Sequence, residues 1–444
     1  MKIKRDIFES LEKWKNKKNR KPLILNGARQ TGKTWTLRHF GNHSFGTSFY
    51  INMDEERSLG EIFQTTKDPH RIIENLQYYA GLKFNPEQTL IIIDEIQECP
   101  SAIESLKYFC EKAPEYPIAT AGSLLGISYG HKGSSFPVGK TDRLELYPIT
   151  FSEFLGAKDS SLYHYYHSIR NIEPIPQIFF DKLNENFNIY RICGGMPEAV
   201  TTILEDGIEA SEHIIKMILD GYSLDFVKHS SPVVANRTRY VWNSLPSQLA
   251  KENRKFIYGH IKSGARAREY EDSIMWLRKA GLIYQVFNCS TPKLPLKAYE
   301  QLNAFKIYVN DIGILRCLSE LDASVFHSEH TQFKEFKGAL NENYILQSLV
   351  SQFGSNLHYW TSENTAEIDF ILQFENHIIP IEVKSGESTK AKSLALYNAI
   401  YNPVLRIRYS MKNLSYTDNL LNIPLFLADR TTDFIAYILK QKEP

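Results

Sequence analysis

Residues 27–34 read Gly-Ala-Arg-Gln-Thr-Gly-Lys-Thr, which is the GxxxxGK[ST] spacing of a phosphate-binding loop. Glycine at Gly27 and Gly32 lets the backbone turn successive N–H groups onto one anion. Lys33 can reach the terminal phosphates of a nucleotide, and the Thr34 hydroxyl can ligate Mg2+. The run lies between an apolar stretch, Pro22-Leu23-Ile24-Leu25, and a helical stretch from Trp35 to Phe40. The helix start adds partial positive charge at the same place. The expected nucleotide-binding set is Gly27, Ala28, Arg29, Gln30, Thr31, Gly32, Lys33, Thr34 and Trp35. The alternative is a glycine-rich turn that happens to end in lysine.

Leu90-Ile91-Ile92-Ile93-Asp94-Glu95 is a continuous apolar run closing on two acids. Such a run predicts a parallel strand buried on both faces, and ligands of open α/β sheets sit at the carboxyl ends of strands. Asp94 is the candidate to hold Mg2+, and Glu95 to orient and polarise the water that attacks the γ-phosphate. Alternatively, both acids merely cap the following helix, expected over residues 101–112 with Ile103, Leu106, Tyr108 and Phe109 inward. A third strand, Tyr116 to Ala121, leads to Gly122-Ser123. Ser123 is the candidate γ-phosphate sensor and Thr120 the reserve, with a helix cap as the competing role for Ser123. Residues 47–53 supply one more strand. Phosphate loop, acidic strand and sensor strand together favour an AAA+-type nucleotide hydrolase over a kinase or a GTPase. The guanine-reading string Asn-Lys-x-Asp does not occur.

The chain has 444 residues, enough for about three domains. It is 43% hydrophobic and 23% charged with a formal net charge of +1, so any nucleic-acid contact must come from a local patch. Five scattered cysteines without CxxC spacing argue against a disulfide framework or a zinc site, and for a reducing, cytoplasmic location. No apolar run reaches membrane-spanning length, so no membrane partner is expected. At the N-terminus Ile3, Ile7, Leu11 and Trp14 recur at helical spacing among lysines. This predicts a helix packed on the nucleotide domain with a solvated basic face.

Patterning divides the chain into 1–157, the phosphate-loop domain; 158–222, a helical lid; 223–325, a winged-helix-like segment; and 326–444, a second α/β domain. The first closes on a capped helix started by Thr150 or Ser152. The lid breaks at Gly194-Gly195-Met196-Pro197, and Arg191 just before it is read as a surface salt bridge or a phosphate contact. The third segment is expected to hold a helix over 236–250, a β-like stretch Lys255 to Tyr258, a helix from Ala265 to Ala280 and a strand Leu282 to Phe287. That is a winged-helix pattern. Arg266 and Arg268 open its second helix, where DNA contacts would be made. Packing or dimerisation is the alternative use.

The last domain carries a second chemical signal. A helix over 339–353 sets Glu342 on a face with Ile345, Leu349 and Phe353, a costly place for a carboxylate without a partner. Strands follow at 356–360, 366–374 and 377–384, then a helix over 390–400 and a strand over 404–409. Asp369, then Glu382-Val383-Lys384, is the arrangement of PD-(D/E)xK nucleases. Asp369, Glu382 and Glu342 are the candidate Mg2+ ligands, and Lys384 would help activate the bound water. The alternative is a buried Glu–Lys pair and a turn aspartate with no metal.

The strings GARQTGKT, LIIIDEIQ, FPVGKTDRLELYPITFSEFL, GGMPEAV, WLRKAGLIY, VNDIGILRCL, GALNENYIL, EIDFIL and IPIEVKSG together resemble the prokaryotic AAA-type ATPases (AAA_14-like) fused to a DUF4143 domain. The resemblance covers residues 20 to 386. It implies ATP binding and hydrolysis and a restriction-endonuclease-like C-terminal fold. Its functional positions fall on Lys33, Thr34, Asp94 and Glu95, and on Glu342, Asp369, Glu382 and Lys384. Lys140 stands where many relatives carry arginine, which leaves Arg143 as the candidate for acting on a neighbour's nucleotide.

Three functions fit these readings: an ATPase controlling a nuclease, an ATP-dependent switch with an inactive nuclease-like domain, and a DNA-binding adaptor whose oligomeric state ATP sets. Expected partners are ATP with Mg2+, DNA through the winged-helix-like and C-terminal segments, and a second copy of the chain.

Overall fold

Apolar residues that run without a break must be buried on both sides of a sheet. Residues that alternate face a core on one side only. Both patterns occur in a computed structural model of the protein, which describes residues 3–122, 137–228, 230–251, 255–326, 334–362, 366–384 and 392–442. The chain divides into two units, Arg5–Tyr147 with Lys279–Gly281, and Pro148–Arg278 with Leu282–Pro444 and Met1–Lys4.

The first unit is built on five parallel strands: β1 (Leu23–Asn26), β2 (Thr47–Asn52), β3 (Thr89–Asp94), β4 (Ile118–Ala121) and β5 (Asp142–Glu145). Their spatial order is β2-β3-β4-β1-β5, so β1 lies between β4 and β5. Ile91 and Ile93 face one core with Ile24, Ile103, Leu106 and Phe109. Leu90 and Ile92 face the other with Leu23, Leu25, Leu37 and Phe40. This two-sided burial is why β3 reads as an unbroken apolar run. Helix Ile7–Lys15 lays Leu11 and Trp14 into the second core. In helix Pro100–Lys112, Tyr108 is only half-buried, and Ala102 and Ser105 take the inward positions beside Ile103, Leu106 and Phe109.

In the second unit, helix Phe151–Lys158 starts at Thr150, whose side chain accepts from Glu153 N while Glu153 reaches back to Thr150 N. This capping box fixes Thr150, not Ser152, as the helix start. The helix Gln177–Cys193 ends at Gly194, with φ 66. Gly195 N donates to Asp311 Oδ2 at 2.6 Å, and Ile149 N to Gly195 O at 2.7 Å.

Eight strands form one sheet in this unit: β6 (Ile283–Cys289), β7 (Glu300–Val309), β8 (His358–Thr361), β9 (Glu367–Phe374), β10 (His377–Val383), β11 (Arg406–Ser410), β12 (Ser415–Thr417) and β13 (Leu420–Pro424). Their order is β12-β13-β11-β10-β9-β8-β6-β7. β6, which covers most of the strand expected at Leu282 to Phe287, makes an antiparallel hairpin with β7 and also pairs in parallel with β8. The hairpin is thus the edge of the sheet that carries Asp369 and Glu382. Helices Pro232–Leu249 and Ala267–Lys279 precede it. The β-like stretch at Lys255 to Tyr258 is not a strand. The Gln248 amide takes both backbone groups of Ile257, at 2.9 and 3.1 Å, and Phe256 N bonds to Phe305 O of β7 at 2.8 Å. Beyond β11, strands β12 and β13 and the helix Thr431–Lys442 extend the domain past the elements read from sequence.

Candidate functional site

The phosphate loop leaves β1 at Asn26 and enters helix Lys33–Phe40. Gly27 has φ 146, and a Cβ there would run into the carbonyl oxygen of Leu146. Gly32 has φ 88 and sits directly before the helix. Gln30 also takes a left-handed conformation, φ 65. Thr31 is buried and its hydroxyl donates to Ala28 O at 2.8 Å, closing the turn on itself. Arg29 and Gln30 lie exposed at the tip. Arg5 pins the loop from the side: Nη1 donates to Thr31 O at 3.2 Å and Nη2 to Tyr147 O at 2.6 Å. Arg5 is buried although it stands in a stretch rich in lysine, and nothing in its neighbours marks it as buried.

Lys33 is buried, and its ammonium donates to Gly27 O and Ala28 O, each at 2.8 Å. Burial lowers its pKa to about 8, opposed by the nearby charges of Glu95, Asp94 and Glu145. Thr34 Oγ1 donates to Asp94 Oδ2 at 2.5 Å, and Tyr50 OH to the same oxygen at 3.2 Å. The phenol of Tyr50 is held well above its usual range, by burial first and then by the Asp94 charge. Asp94 Oδ1 accepts from Glu95 N at 2.9 Å. Glu95 itself has φ 46, a strained conformation for a side-chain-bearing residue, and its carboxylate accepts from Gln97 Nε2. A hydroxyl and a carboxylate in contact are hard oxygen donors of the kind that suits Mg2+. The donor set therefore fits the ion, and the turned backbone with Lys33 fits a polyphosphate.

Thr120, the reserve sensor, is buried and gives its hydroxyl to Leu23 O on β1 at 3.2 Å. Ser123 lies outside the described residues. Lys140 pairs with Glu111 at 2.9 Å, and Arg143 is exposed on β5. Arg191 is neither on the surface nor turned to a phosphate. It is buried, with Nη1 donating to Asn341 Oδ1 at 3.3 Å, Nη2 to Asn188, and the guanidinium over the Phe187 ring.

In the second unit, β9 and β10 bring Asp369 and Glu382 together. Asp369 Oδ2 accepts from Val383 N at 2.7 Å. Glu382 is buried and ion-paired with Lys384. Burial raises the Glu382 pKa, Lys384 opposes the rise, and the Asp369 charge adds to it. Glu382 Oε2 is buried with no protein hydrogen-bond partner among the described residues. Glu342 is held differently. Its Oε1 accepts from Tyr308 OH and lies 3.5 Å from Lys306 Nζ, and that same ammonium pairs with Glu367. Lys306 is fully buried, and Glu342 is 1% exposed. Among the described residues no group of three or more His, Cys, Asp or Glu is placed to hold a metal ion, so Glu342, Asp369 and Glu382 do not form the expected three-carboxylate set. Lys306 went unnoticed in the sequence, although a lysine inside Phe305-Lys306-Ile307-Tyr308-Val309 is a charge in a buried strand.

Residues 19–155 match the model of the AAA domain family. Residues 184–325 match a domain of unknown function, DUF8612, and residues 337–426 another, DUF4143. An uncharacterized protein of Methanocaldococcus jannaschii is 24% identical over 404 residues, 89% of this chain and 82% of that protein. An uncharacterized protein of Mycobacterium tuberculosis is 22% identical over 396 residues, 85% of this chain and 73% of that one. Among solved structures, the Walker-type ATPase of Pyrococcus abyssi is similar over 71% of this chain and 96% of its own, at 17% identity and a TM-score of 0.44. The ORC2 protein of Aeropyrum pernix is similar over 77% and 94%, at 12% identity and a TM-score of 0.33. By its matched segments, the chain carries an AAA domain over residues 19–155 followed by a DUF4143 domain over residues 337–426.

Proposed function

We propose that residues 5–147 bind ATP with Mg2+ and hydrolyse it, and that this turnover controls a nuclease-like C-terminal domain that engages DNA. The observation that carries the ATPase reading is the Thr34–Asp94 contact beside Lys33. It joins the start of helix Lys33–Phe40 to the end of β3 at one point, as a shared ion needs. When bound there, Mg2+ would neutralise phosphate charge. Lys33 would hold the terminal phosphates in place of its present carbonyl partners. Glu95, fixed by its own backbone strain and by Gln97, would orient the attacking water and receive its proton. Phosphate release from ATP tests this: purified protein should turn over ATP only with Mg2+, and Lys33→Ala should remove ATP binding.

For the C-terminal domain, Asp369 and Glu382 offer oxygen donors, and the buried Oε2 of Glu382 supports a cation there. Lys384 would steady the developing charge on a phosphate. A second reading is favoured by Lys306. Its ammonium already neutralises Glu342 and Glu367, which supports a domain that binds without cutting. Asp369→Ala separates the two, since it should abolish Mg2+-dependent cleavage of DNA only if cleavage occurs. Arg266 and Arg268 are exposed at the start of helix Ala267–Lys279 and are the residues proposed for DNA contact. Salt-sensitive binding should fall when both become alanine.

A further inference from the structure

Trp35 follows Thr34 in the first turn of helix Lys33–Phe40, and its side chain is 42% exposed while Lys33, Thr36, Leu37 and Phe40 face inward. The indole is not isolated. His39, one turn on, lies parallel to it with ring centroids 4.7 Å apart and an interplanar angle of 6°. Phe8, from helix Ile7–Lys15, abuts both rings, at 6.4 Å from Trp35 and 5.3 Å from His39. His43 continues the stack behind His39 at 3.8 Å. One face of the indole is therefore backed by an imidazole, and its edge is propped by a phenyl ring. With 42% of the residue exposed, part of the indole stays open to a ligand.

The side of the loop on which this shelf stands follows from Arg5. Its bonds to Thr31 O and Tyr147 O put the start of helix Ile7–Lys15 at the carboxyl end of β5. In the sheet order, β5 and β3 lie on opposite sides of β1. Asp94 and Glu95 close β3, so the terminal phosphate and its ion belong on that side. A nucleotide stretched along the loop then emerges with its nucleoside end toward β5, where Phe8 and Trp35 stand.

We propose that Trp35, backed by His39 and propped by Phe8, is the base-stacking platform of the nucleotide site, and that it selects purine over pyrimidine nucleotides by stacking area. The inference rests on the reading of residues 27–34 as a triphosphate site. Stacking on an indole uses the π-face that every base has. The larger face of a purine gains more than that of a pyrimidine, and adenine and guanine are barely told apart. The edge groups that distinguish those two would need separate hydrogen-bonding partners.

The test compares the calorimetric affinities of ATP, GTP, UTP and inorganic tripolyphosphate for the full chain, wild type, Trp35→Phe and Trp35→Ala. The expected wild-type result is ATP and GTP within about threefold of each other, and both about tenfold tighter than UTP or tripolyphosphate. Trp35→Phe should keep most of the ATP-to-UTP ratio. Trp35→Ala should bring that ratio close to one, with tripolyphosphate binding showing that the loop is still folded. An unchanged ATP-to-UTP ratio in Trp35→Ala overturns the proposal. If none of the four ligands binds wild-type protein, the triphosphate reading itself fails, and the platform with it.

Discussion

The Thr34 hydroxyl donates to Asp94 Oδ2 across 2.5 Å, although the two residues are sixty positions apart in the chain. Asp94 is buried and Tyr50 binds the same oxygen, so the carboxylate is oriented by two hydroxyls before any ion arrives. Thr34→Val removes one ion donor and leaves the side-chain shape. It should raise the Mg2+ concentration needed for half-maximal turnover by about tenfold or more, in line with the loss of a ligand-shell contact. A Mg2+ titration of phosphate release checks it. A titration that superimposes on the wild type would remove Thr34 from the ion's shell.

Lys33 adds a pH dependence. In the free protein its pKa is lowered to about 8 by burial, against Glu95, Asp94 and Glu145, with Arg29 pushing the same way as burial. A polyphosphate favours the charged ammonium, so binding raises that pKa. Below pH 8 the lysine is already protonated and affinity is flat in this respect. Above it each binding event takes up a proton, and the association constant falls up to about tenfold per pH unit. Calorimetry in two buffers of different ionisation heat should show little proton uptake at pH 7 and nearly one proton at pH 9. Lys33→Arg should abolish the difference.

Lys306 holds the acid cluster of the second unit together, so its loss should be felt in stability. Lys306→Met leaves Glu342 buried beside Tyr308 without its cation. Breaking one side of such a pair costs about 3–5 kcal/mol. Adding Glu342→Gln should recover a large part of that loss, because the uncompensated charge is gone. Urea denaturation of the single and double variants measures both steps.

The turn at Gly194 is a second place where one atom decides. A Cβ there would meet the Asp311 side chain and, at 2.6 Å, Gly313 N, and its φ of 66 disfavours any side chain. Gly194→Ala should cost on the order of 3 kcal/mol, from strain together with a weakened Gly195–Asp311 bond. Gly264 has a similar φ of 77 with nothing close to its Cβ position, so Gly264→Ala is the control for backbone strain alone. Thermal unfolding of both separates the two contributions.

Local features were legible in the sequence because they are written in neighbouring residues. The phosphate loop, the two-sided strand β3 and the capped helix that starts at Thr150 or Ser152 all lie within a few residues or one turn of themselves. Pairings between distant segments were not. Nothing around Leu282 to Phe287 announces that β6 lies in parallel beside β8, so the strand reads as part of a winged helix. The sequence marks Glu342 as a carboxylate needing a partner, but Lys306, which pairs with it, lies 36 residues away on strand β7. Strand β5 is short, and its Asp142-Arg143-Leu144-Glu145 alternates between partly buried and exposed residues, which leaves almost no apolar signal. Gln248 replaces a strand partner at Ile257 through its side chain, which propensity cannot register.

Glu95→Gln is the most direct test of the central claim that this loop and its acids hydrolyse a nucleotide. The substitution keeps the size of the side chain and removes its ability to accept a proton. ATP binding, read by calorimetry, should stay within about threefold of wild type, while Mg2+-dependent phosphate release falls by about 10²–10⁴. Turnover that survives the change, or a wild-type protein that binds ATP and never releases phosphate, would contradict it.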